Sequence, residues 1–430
     1  MTKTPARIIA LFFSLVQSAA LFALNISETP STVSDVFDTL GQDENAGSTT
    51  FLSLNIPAGA RAESLGGAYT GLSNDISFFD YNPAGSALLD ETEAAVFHNS
   101  WISDSAIETI AATTRYGDLG IAAAAKCFYV PFTQYDYYGE KQTDGYYSET
   151  TAVLNMSYNF FHGYYFKGIS LGMNIKGAWR SIPDYADSET GEIKKGFSQS
   201  AAAVMADFGV LTRFNFLKFY SSREPNFSIG LCLKNAGAAF TGFGEEIERD
   251  DPIATVASVG FSYKMLDAFT FTADFSQPLN LFSLDESEKW AAGAGMIFQI
   301  TDKTAILAGF LLKGGNPRMS LGGEAIYKGI QFNINYTLDL TSSLNPVNHI
   351  SLSAKLRLGD RGRAQKAATV DEKYIEGLQK YSEGDYESAI RLWNEALEID
   401  SGFDPAKKGI AIAEKQQHLI EKIKEMQSLD

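Results

Sequence analysis

The chain has 430 residues, enough for one large domain with a smaller one beside it. Its formal net charge is −17 and no Lys/Arg stripe occurs, which excludes a nucleic-acid-binding surface. The two cysteines and four histidines show no catalytic or metal-binding spacing, so we expect neither an enzyme nor a metal or cofactor site.

Residues 1–23 have the pattern of a secretory signal peptide. Basic residues precede an apolar run from Ile8 to Val16, and small residues follow it. Residues 24–50 are rich in Ser, Thr, Asp, Glu and Gly, which predicts a flexible linker. The mature protein is therefore expected to be exported.

Small residues crowd the next segment, 51–92. Its main features are Gly59, Arg61, Gly66, Gly67 and the run Asn82, Pro83, Ala84. Such a composition suits a backbone that passes close to other atoms or turns sharply. A Gly-rich surface loop has the same composition, so both interpretations stay open at this point.

From residue 93 to 359, apolar and polar residues alternate with a period of two. Ile330, Phe332 and Ile334, for example, alternate with Gln331 and Asn333. This period places the two sets on opposite faces of a strand. The predicted strands are 94–101, 107–116, 119–130, 150–161, 166–180, 199–216, 226–235, 253–264, 268–276, 288–300, 304–313, 318–327, 329–339 and 348–358. These make about fourteen antiparallel strands, an even number that is typical of transmembrane barrels.

Short and long connections alternate between these strands. The long ones are 131–149, 181–198, 236–252 and 277–287, a rhythm typical of outer-membrane barrels with short periplasmic turns. Charged residues also occur on the polar face, where a dry sandwich core would tolerate them poorly. We therefore predict an all-β transmembrane barrel with a wet lumen, lined by Lys126, Lys176, Arg180, Asp207, Arg213 and Asp274.

Two of the long connections contain apolar residues that loops normally lack. They are Phe132, Tyr135, Tyr137, Tyr138, Leu281 and Phe282. Exposed apolar clusters indicate a surface that captures hydrophobic ligands. The alternative is an aromatic girdle at the membrane boundary.

The composition changes again after residue 359. Residues 360–370 are predicted to be a linker, and 371–430 a small helical domain in the periplasm. The helical part resembles one tetratricopeptide repeat, but Lys373 and Ser401 stand where that repeat has Trp and Pro.

One such repeat is fewer than the three that usually form an independent array. The helical domain is therefore expected to pack against the barrel, against a second copy of the chain or against a partner protein. Tyr386 and Trp393, which fill the space beside the two predicted helices, are the candidate partner-binding residues.

The Gly-rich segment and the barrel together resemble the outer-membrane long-chain fatty acid transporter family, of the FadL and PorV-like type. The resemblance covers roughly residues 51–358 and is carried by the run from Gly59 to Ala62, by Asn82-Pro-Ala-Gly and by the strands after them. It implies that 51–92 form a hatch inside the barrel. It also implies passive uptake of hydrophobic molecules, with long-chain fatty acids as the leading class.

Two other functions stay open. The barrel could anchor or shuttle secretion partners through its helical tail, or it could be a general porin. The lumen charges favour a porin, whereas the hatch argues against it.

Overall fold

The computed structural model describes residues 43–102, 104–187, 190–243, 247–340 and 348–427. The predicted signal peptide and most of the predicted linker at 24–50 lie outside the described residues.

Within the described ranges, fourteen antiparallel strands form one closed sheet, which confirms the predicted barrel. The strands are β1 Glu93–Ser100, β2 Ala106–Tyr116, β3 Leu119–Tyr135, β4 Lys141–Phe160, β5 Ile169–Ser181, β6 Ala201–Phe214, β7 Phe227–Thr241, β8 Thr255–Leu266, β9 Phe269–Leu279, β10 Ala291–Thr301, β11 Thr304–Lys313, β12 Asn316–Tyr327, β13 Ile330–Asp339 and β14 His349–Arg357. Each pairs with its neighbours in sequence, and β14 pairs with β1 to close the ring.

The two faces of the wall differ as the period of two predicts. Outward side chains such as Leu154 and Ile334 are more than half exposed. Inward side chains such as Asn174 and Ser351 are fully buried. The apolar face therefore surrounds the barrel, and the polar face encloses its interior.

Residues 49–89, called the inner segment below, lie inside this ring. They form the short helix α1, Ala60–Glu63, and 3-10 helices at Leu52–Asn55, Ile76–Asp80 and Pro83–Leu88. Their apolar side chains pack in clusters with inward residues of the wall; Ile76 and Phe78, for example, pack with Phe97 and Val153.

The connection predicted at 131–149 is wrong, because most of it is strand. Val130 to Gln134 pair with Thr143 to Tyr147, and within the described residues neither stretch pairs with a further strand. They form a two-stranded ribbon that projects past the rim, with its turn at 136–140. Aromatic and β-branched residues favour extended backbone, and they continue the strand beyond the apolar band.

The rhythm of connections is also less regular than predicted. The link at 314–315 is short, whereas 161–168 and 215–226 are longer than turns. The remaining short elements are two-residue strands at Tyr185–Ala186, Ile193–Lys194 and Glu248–Arg249 and 3-10 helices at Gly196–Gln199 and Leu284–Glu286.

Three helices follow the barrel: α2 Arg363–Ser382, α3 Tyr386–Ile399 and α4 Asp404–Gln427. The linker predicted at 360–370 is therefore wrong beyond residue 362. The Asp360 carboxylate accepts a hydrogen bond from the backbone N–H of Ala364 (2.6 Å), which satisfies a free donor of the first turn and lets α2 begin early. Among the described residues, no helix has both the length and the apolar character that crossing a membrane requires.

The three helices pack on one end of the barrel, called the tail end below. The ring of Tyr164, in the link between β4 and β5, meets Phe403 edge-on at 5.0 Å between ring centroids. Arg363 donates to the carbonyl oxygens of Leu89 and Arg115 at the same end. The projecting β3–β4 ribbon lies at the opposite end, called the far end.

Candidate functional site

The six predicted lumen residues all point inward, but they contact protein rather than an open channel. Asp274 accepts hydrogen bonds from the backbone N–H groups of Tyr69 and Thr70 at 2.8 and 2.6 Å. Arg213 donates to the carbonyl oxygen of Leu88 at 3.2 Å. The prediction of a wet lumen is therefore wrong at these positions, because the inner segment occupies the space and these side chains bond to it or to other residues of the wall.

A strand irregularity positions another of these charges. The pairing register between β6 and β7 shifts at Asp207. Opposite it, Asn235 adopts a left-handed backbone conformation (φ 58°). Asp207 accepts from the backbone N–H of Asn235 at 2.7 Å and pairs with Lys176 at 2.7 Å. The ion pair is buried and also holds Asn174 by a hydrogen bond of 2.7 Å.

A buried ionic network joins the inner segment to the strands that close the ring. Asp75 pairs with Arg61 and with Lys355 of β14, each at 3.2 Å. Arg61 also pairs with Glu324 of β12, and Lys355 with Glu93 of β1. Removing one member of such a network leaves an uncompensated buried charge.

The predicted run at 82–84 contacts the opposite side of the wall. The Asn82 side chain accepts from the Ala84 backbone N–H and donates to the carbonyl oxygens of Thr70 and Val210, at 3.0 to 3.1 Å. The Pro83 carbonyl oxygen accepts from Asn155 of β4 at 2.9 Å. Asn82 therefore ties two parts of the inner segment to β6.

Glycines of the wall allow this close approach. A Cβ added at Gly172, Gly230 or Gly309 would lie 2.1 to 2.3 Å from backbone atoms of the inner segment. Within the segment, Gly66 has φ +64° and would place a Cβ 2.3 Å from the Phe310 carbonyl oxygen. Gly67 also has a positive φ, whereas Gly59 has extended backbone and precedes α1.

A cavity of about 450 Å³ lies at the far end, between the start of the inner segment and the wall. Its apolar lining comprises Phe51, Leu52, Ile56, Trp101, Ile102, Phe128, Val130 and Tyr147, with Thr and Ser residues between them. Glu149 and Arg180 are the charged residues of the lining. Size and composition are those of a pocket for a small apolar molecule.

A larger cleft, of about 540 Å³, has a different position. Phe332, Ile334 and Leu352, which line it, belong to the outward face of the wall. A cleft on that face meets whatever surrounds the barrel, so the far-end cavity is the better candidate for a binding site inside the protein.

The predicted capture residues lie around the far end without lining this cavity. Phe132 and Tyr135 belong to the projecting ribbon, and Tyr137 and Tyr138 are almost fully exposed at its turn. Leu281 and Phe282 are about half exposed between β9 and β10, where Arg249 stacks on the Phe282 ring at 3.8 Å.

The two candidate partner residues belong to the interior of the helical tail. Trp393 is 1% exposed, and its indole N–H donates to the Tyr374 carbonyl oxygen at 3.1 Å. Tyr386 packs edge-on against Tyr381. Trp393 as a partner-binding residue is therefore wrong, because the helix pair buries it where Gly377 leaves room.

Sequence reasoning missed Glu149, Asp75 and the wall glycines as parts of the site. Glu149 fell inside the segment taken for a loop. The signal for the glycines was available, since Gly172, Gly230 and Gly309 interrupt strands where a side chain is otherwise favoured. Within the described ranges, no group of three His, Cys, Asp or Glu side chains could hold a metal ion.

Comparison with known proteins gives a family. A model described as "Uncharacterised protein family (UPF0164)" matches residues 27–361. The chain belongs to this family. A UPF0164 protein of Treponema pallidum (strain Nichols) is 32% identical over 393 residues, covering 88% of this chain and 86% of the relative. A second UPF0164 protein of the same organism is 26% identical over 390 residues, covering 86% and 76%.

Solved structures resemble this UPF0164 chain in fold. The toluene transporter TbuX of Ralstonia pickettii has a TM-score of 0.45 and 11% identity, covering 70% of this chain and 98% of TbuX. A FadL homologue of Pseudomonas aeruginosa has a TM-score of 0.42 and 11% identity, covering 70% and 98%. At such low sequence identity the similarity concerns the fold alone, and the ligands of those proteins are not assigned to this chain.

Proposed function

We propose that this UPF0164 chain is an outer-membrane barrel that takes up hydrophobic molecules. The outward face supports the membrane location, because the described strands leave no unpaired edge within the closed ring itself and present exposed apolar side chains all round. In this proposal residues 51–92 are the hatch, the far end faces outside, and the helices after residue 362 lie in the periplasm.

The observation that carries the proposal is the apolar cavity at the far end. It lies where the inner segment enters the barrel, and aromatic side chains supply much of its lining. Apolar ligands bind in such pockets by removing surface from water. The exposed aromatic residues at the tip of the ribbon, Tyr137 and Tyr138, would collect the ligand before it enters.

Passage beyond the cavity requires the hatch to move. The inner segment contacts strands on opposite sides of the ring, through Asp75, Asp274 and Asn82. In this proposal uptake is passive and involves no covalent step. Long-chain fatty acids and related acyl compounds are the proposed class, as the resemblance to FadL-type transporters implies.

Blocking the cavity tests the proposal. Leu52→Trp places a large ring in the cavity, whereas Ile193→Trp makes a similar change at an exposed position at the same end that is neither in the cavity lining nor among the capture residues. Purified protein in detergent should bind tritiated hexadecanol or palmitate, and only the first variant should lose binding. If neither compound binds the unmodified protein, or if both variants bind equally well, hydrophobic uptake through this cavity is refuted.

A second candidate function is supported by the last helix. Ile412, Leu419, Ile423 and Met426 are exposed on α4 and recur with helical spacing. In this alternative, the tail recruits a periplasmic protein and the barrel anchors it. A photo-crosslinking residue at Leu419 should then give one defined adduct in intact cells, and the same residue at the polar position Glu414 should not.

A further inference from the structure

We propose that the helical tail is a lid on the tail end of the barrel, and that a molecule leaves the barrel there only when the ion pair between Arg223 and Asp371 opens. The inference rests on the proposed uptake function and adds its exit step. It follows from where α2 begins, where it next contacts the barrel, and what its first residue holds.

The helix α2 contacts the barrel on two opposite sides. It begins shortly after β14, and its Asp371 pairs at 2.5 Å with Arg223 in the link between β6 and β7. In the ring of fourteen strands, β14 and β7 are seven places apart, which is half-way round. A helix of 20 residues is about 30 Å long, and fourteen tilted strands make a ring roughly 25–30 Å across. The helix is therefore long enough to cover the opening between its two contacts.

The first residue of α2 holds the end of the inner segment. The Arg363 guanidinium donates to the carbonyl oxygen of Leu89 at 3.3 Å and to that of Asp90. Arg115 of β2 donates to the same Leu89 oxygen at 3.4 Å, and Leu89 is 2% exposed. Because these bonds join α2 to the inner segment, lifting the helix also frees that end of the hatch. Lid and hatch thus open in one movement.

The two sides of α2 differ in how firmly they are held. Near β14, Gly359 and Gly362 both have a positive φ, and a Cβ added at either would meet no atom within 4 Å. This open stretch of chain can absorb a rotation of the helix, as a hinge does. On the other side, the Arg223 side chain is 66% exposed, and an ion pair in contact with water is weak. The ion pair is therefore a latch that can open while the barrel stays folded.

A third contact can move together with the tail. Tyr164, in the link between β4 and β5, donates its backbone N–H to the Gly402 carbonyl oxygen at 3.1 Å and packs its ring against Phe403. Lys408 of α4 lies 4.4 Å from the centre of the neighbouring Tyr165 ring. The link comprises residues 161–168, which is longer than a turn. It can follow the helices while β4 and β5 remain paired.

Breaking the latch tests the coupling between lid and hatch. Arg223→Asp places two carboxylates side by side, so hydrogen exchange of the full chain in detergent should become roughly two- to fivefold faster at the amides of 84–92 and at the start of α2. The charge swap Arg223→Asp with Asp371→Arg should restore the original rates. Lys303→Asp, the same charge change in an exposed turn at the same end, should leave them unaltered. Unaltered exchange at 84–92 in Arg223→Asp, or a swap that fails to restore it, would refute the coupling.

Locking the latch tests the exit step. Arg223→Cys and Asp371→Cys are joined by a bismaleimide linker that contains a reducible disulfide, and uptake of tritiated palmitate is measured in cells that have no other fatty-acid transporter. Linking should abolish uptake and reduction should restore it, whereas Arg223→Cys alone, treated in the same way, should take up palmitate at least as fast as the unmodified protein. The native Cys127 and Cys232 are common to both samples.

The outcomes separate the lid from the uptake proposal. Equal uptake before and after linking would overturn the lid and leave uptake standing, because the far-end cavity lies at the other end of the barrel. Absence of uptake by the unmodified protein would refute uptake itself, and the exchange rates would still decide whether the tail holds the hatch.

Discussion

Adding one methyl group to a wall glycine should separate the inner segment from the barrel. A Cβ at position 172 would lie 2.3 Å from the Pro83 carbonyl oxygen and 2.5 Å from the Ala84 nitrogen. Because heavy atoms in contact pack at about 3.5 Å, the two backbones must move apart by about 1 Å. Overpacking of this kind costs about 1–3 kcal/mol.

Gly177 on the same strand provides a matched control. It faces outward, and an added Cβ would meet no atom within 4 Å. Since glycine in a strand is roughly 0.5–1 kcal/mol less favourable than alanine, Gly177→Ala should stabilise the protein slightly. The two alanine variants should therefore differ in unfolding free energy by about 1.5–4 kcal/mol.

Urea unfolding in detergent, followed by tryptophan fluorescence, measures this difference. Limited proteolysis of the folded protein adds a local readout, since a displaced inner segment should be cleaved faster in Gly172→Ala than in Gly177→Ala. Equal unfolding free energies and equal cleavage rates would show that the segment does not pack against β5 as described.

Three further results are expected. Asp75→Asn leaves the buried Arg61 and Lys355 without their shared partner and should lower the unfolding free energy by about 3–5 kcal/mol. The control Asp144→Asn loses only an exposed ion pair, so its unfolding free energy in urea should change little. Trp393→Ala removes a buried ring and should destabilise the helical tail by about 3–5 kcal/mol, seen as faster proteolysis there, and an unaffected tail would contradict its burial. Liposomes carrying the intact chain should swell in arabinose no faster than empty ones, because the inner segment contacts opposite walls; rapid swelling would favour the porin alternative.

The sequence by itself determined the barrel. The period of two runs through fourteen segments, and each segment must turn its apolar set to one side, so strand number and sidedness follow from local pattern. It also indicated the inward charges and the helical end. It misplaced the ends of β3 and β4 and the start of α2, because aromatic residues and early helix formers extend these elements beyond the periodic pattern.

Only the tertiary structure decided what fills the barrel and where a ligand could bind. Asp75 and Lys355 are 280 positions apart, and no local pattern could predict their contact. The same holds for the cavity, where the start of the inner segment meets β4 and Glu149. A strand's period fixes which side chains point inward; what they meet there depends on where distant parts of the chain come to lie.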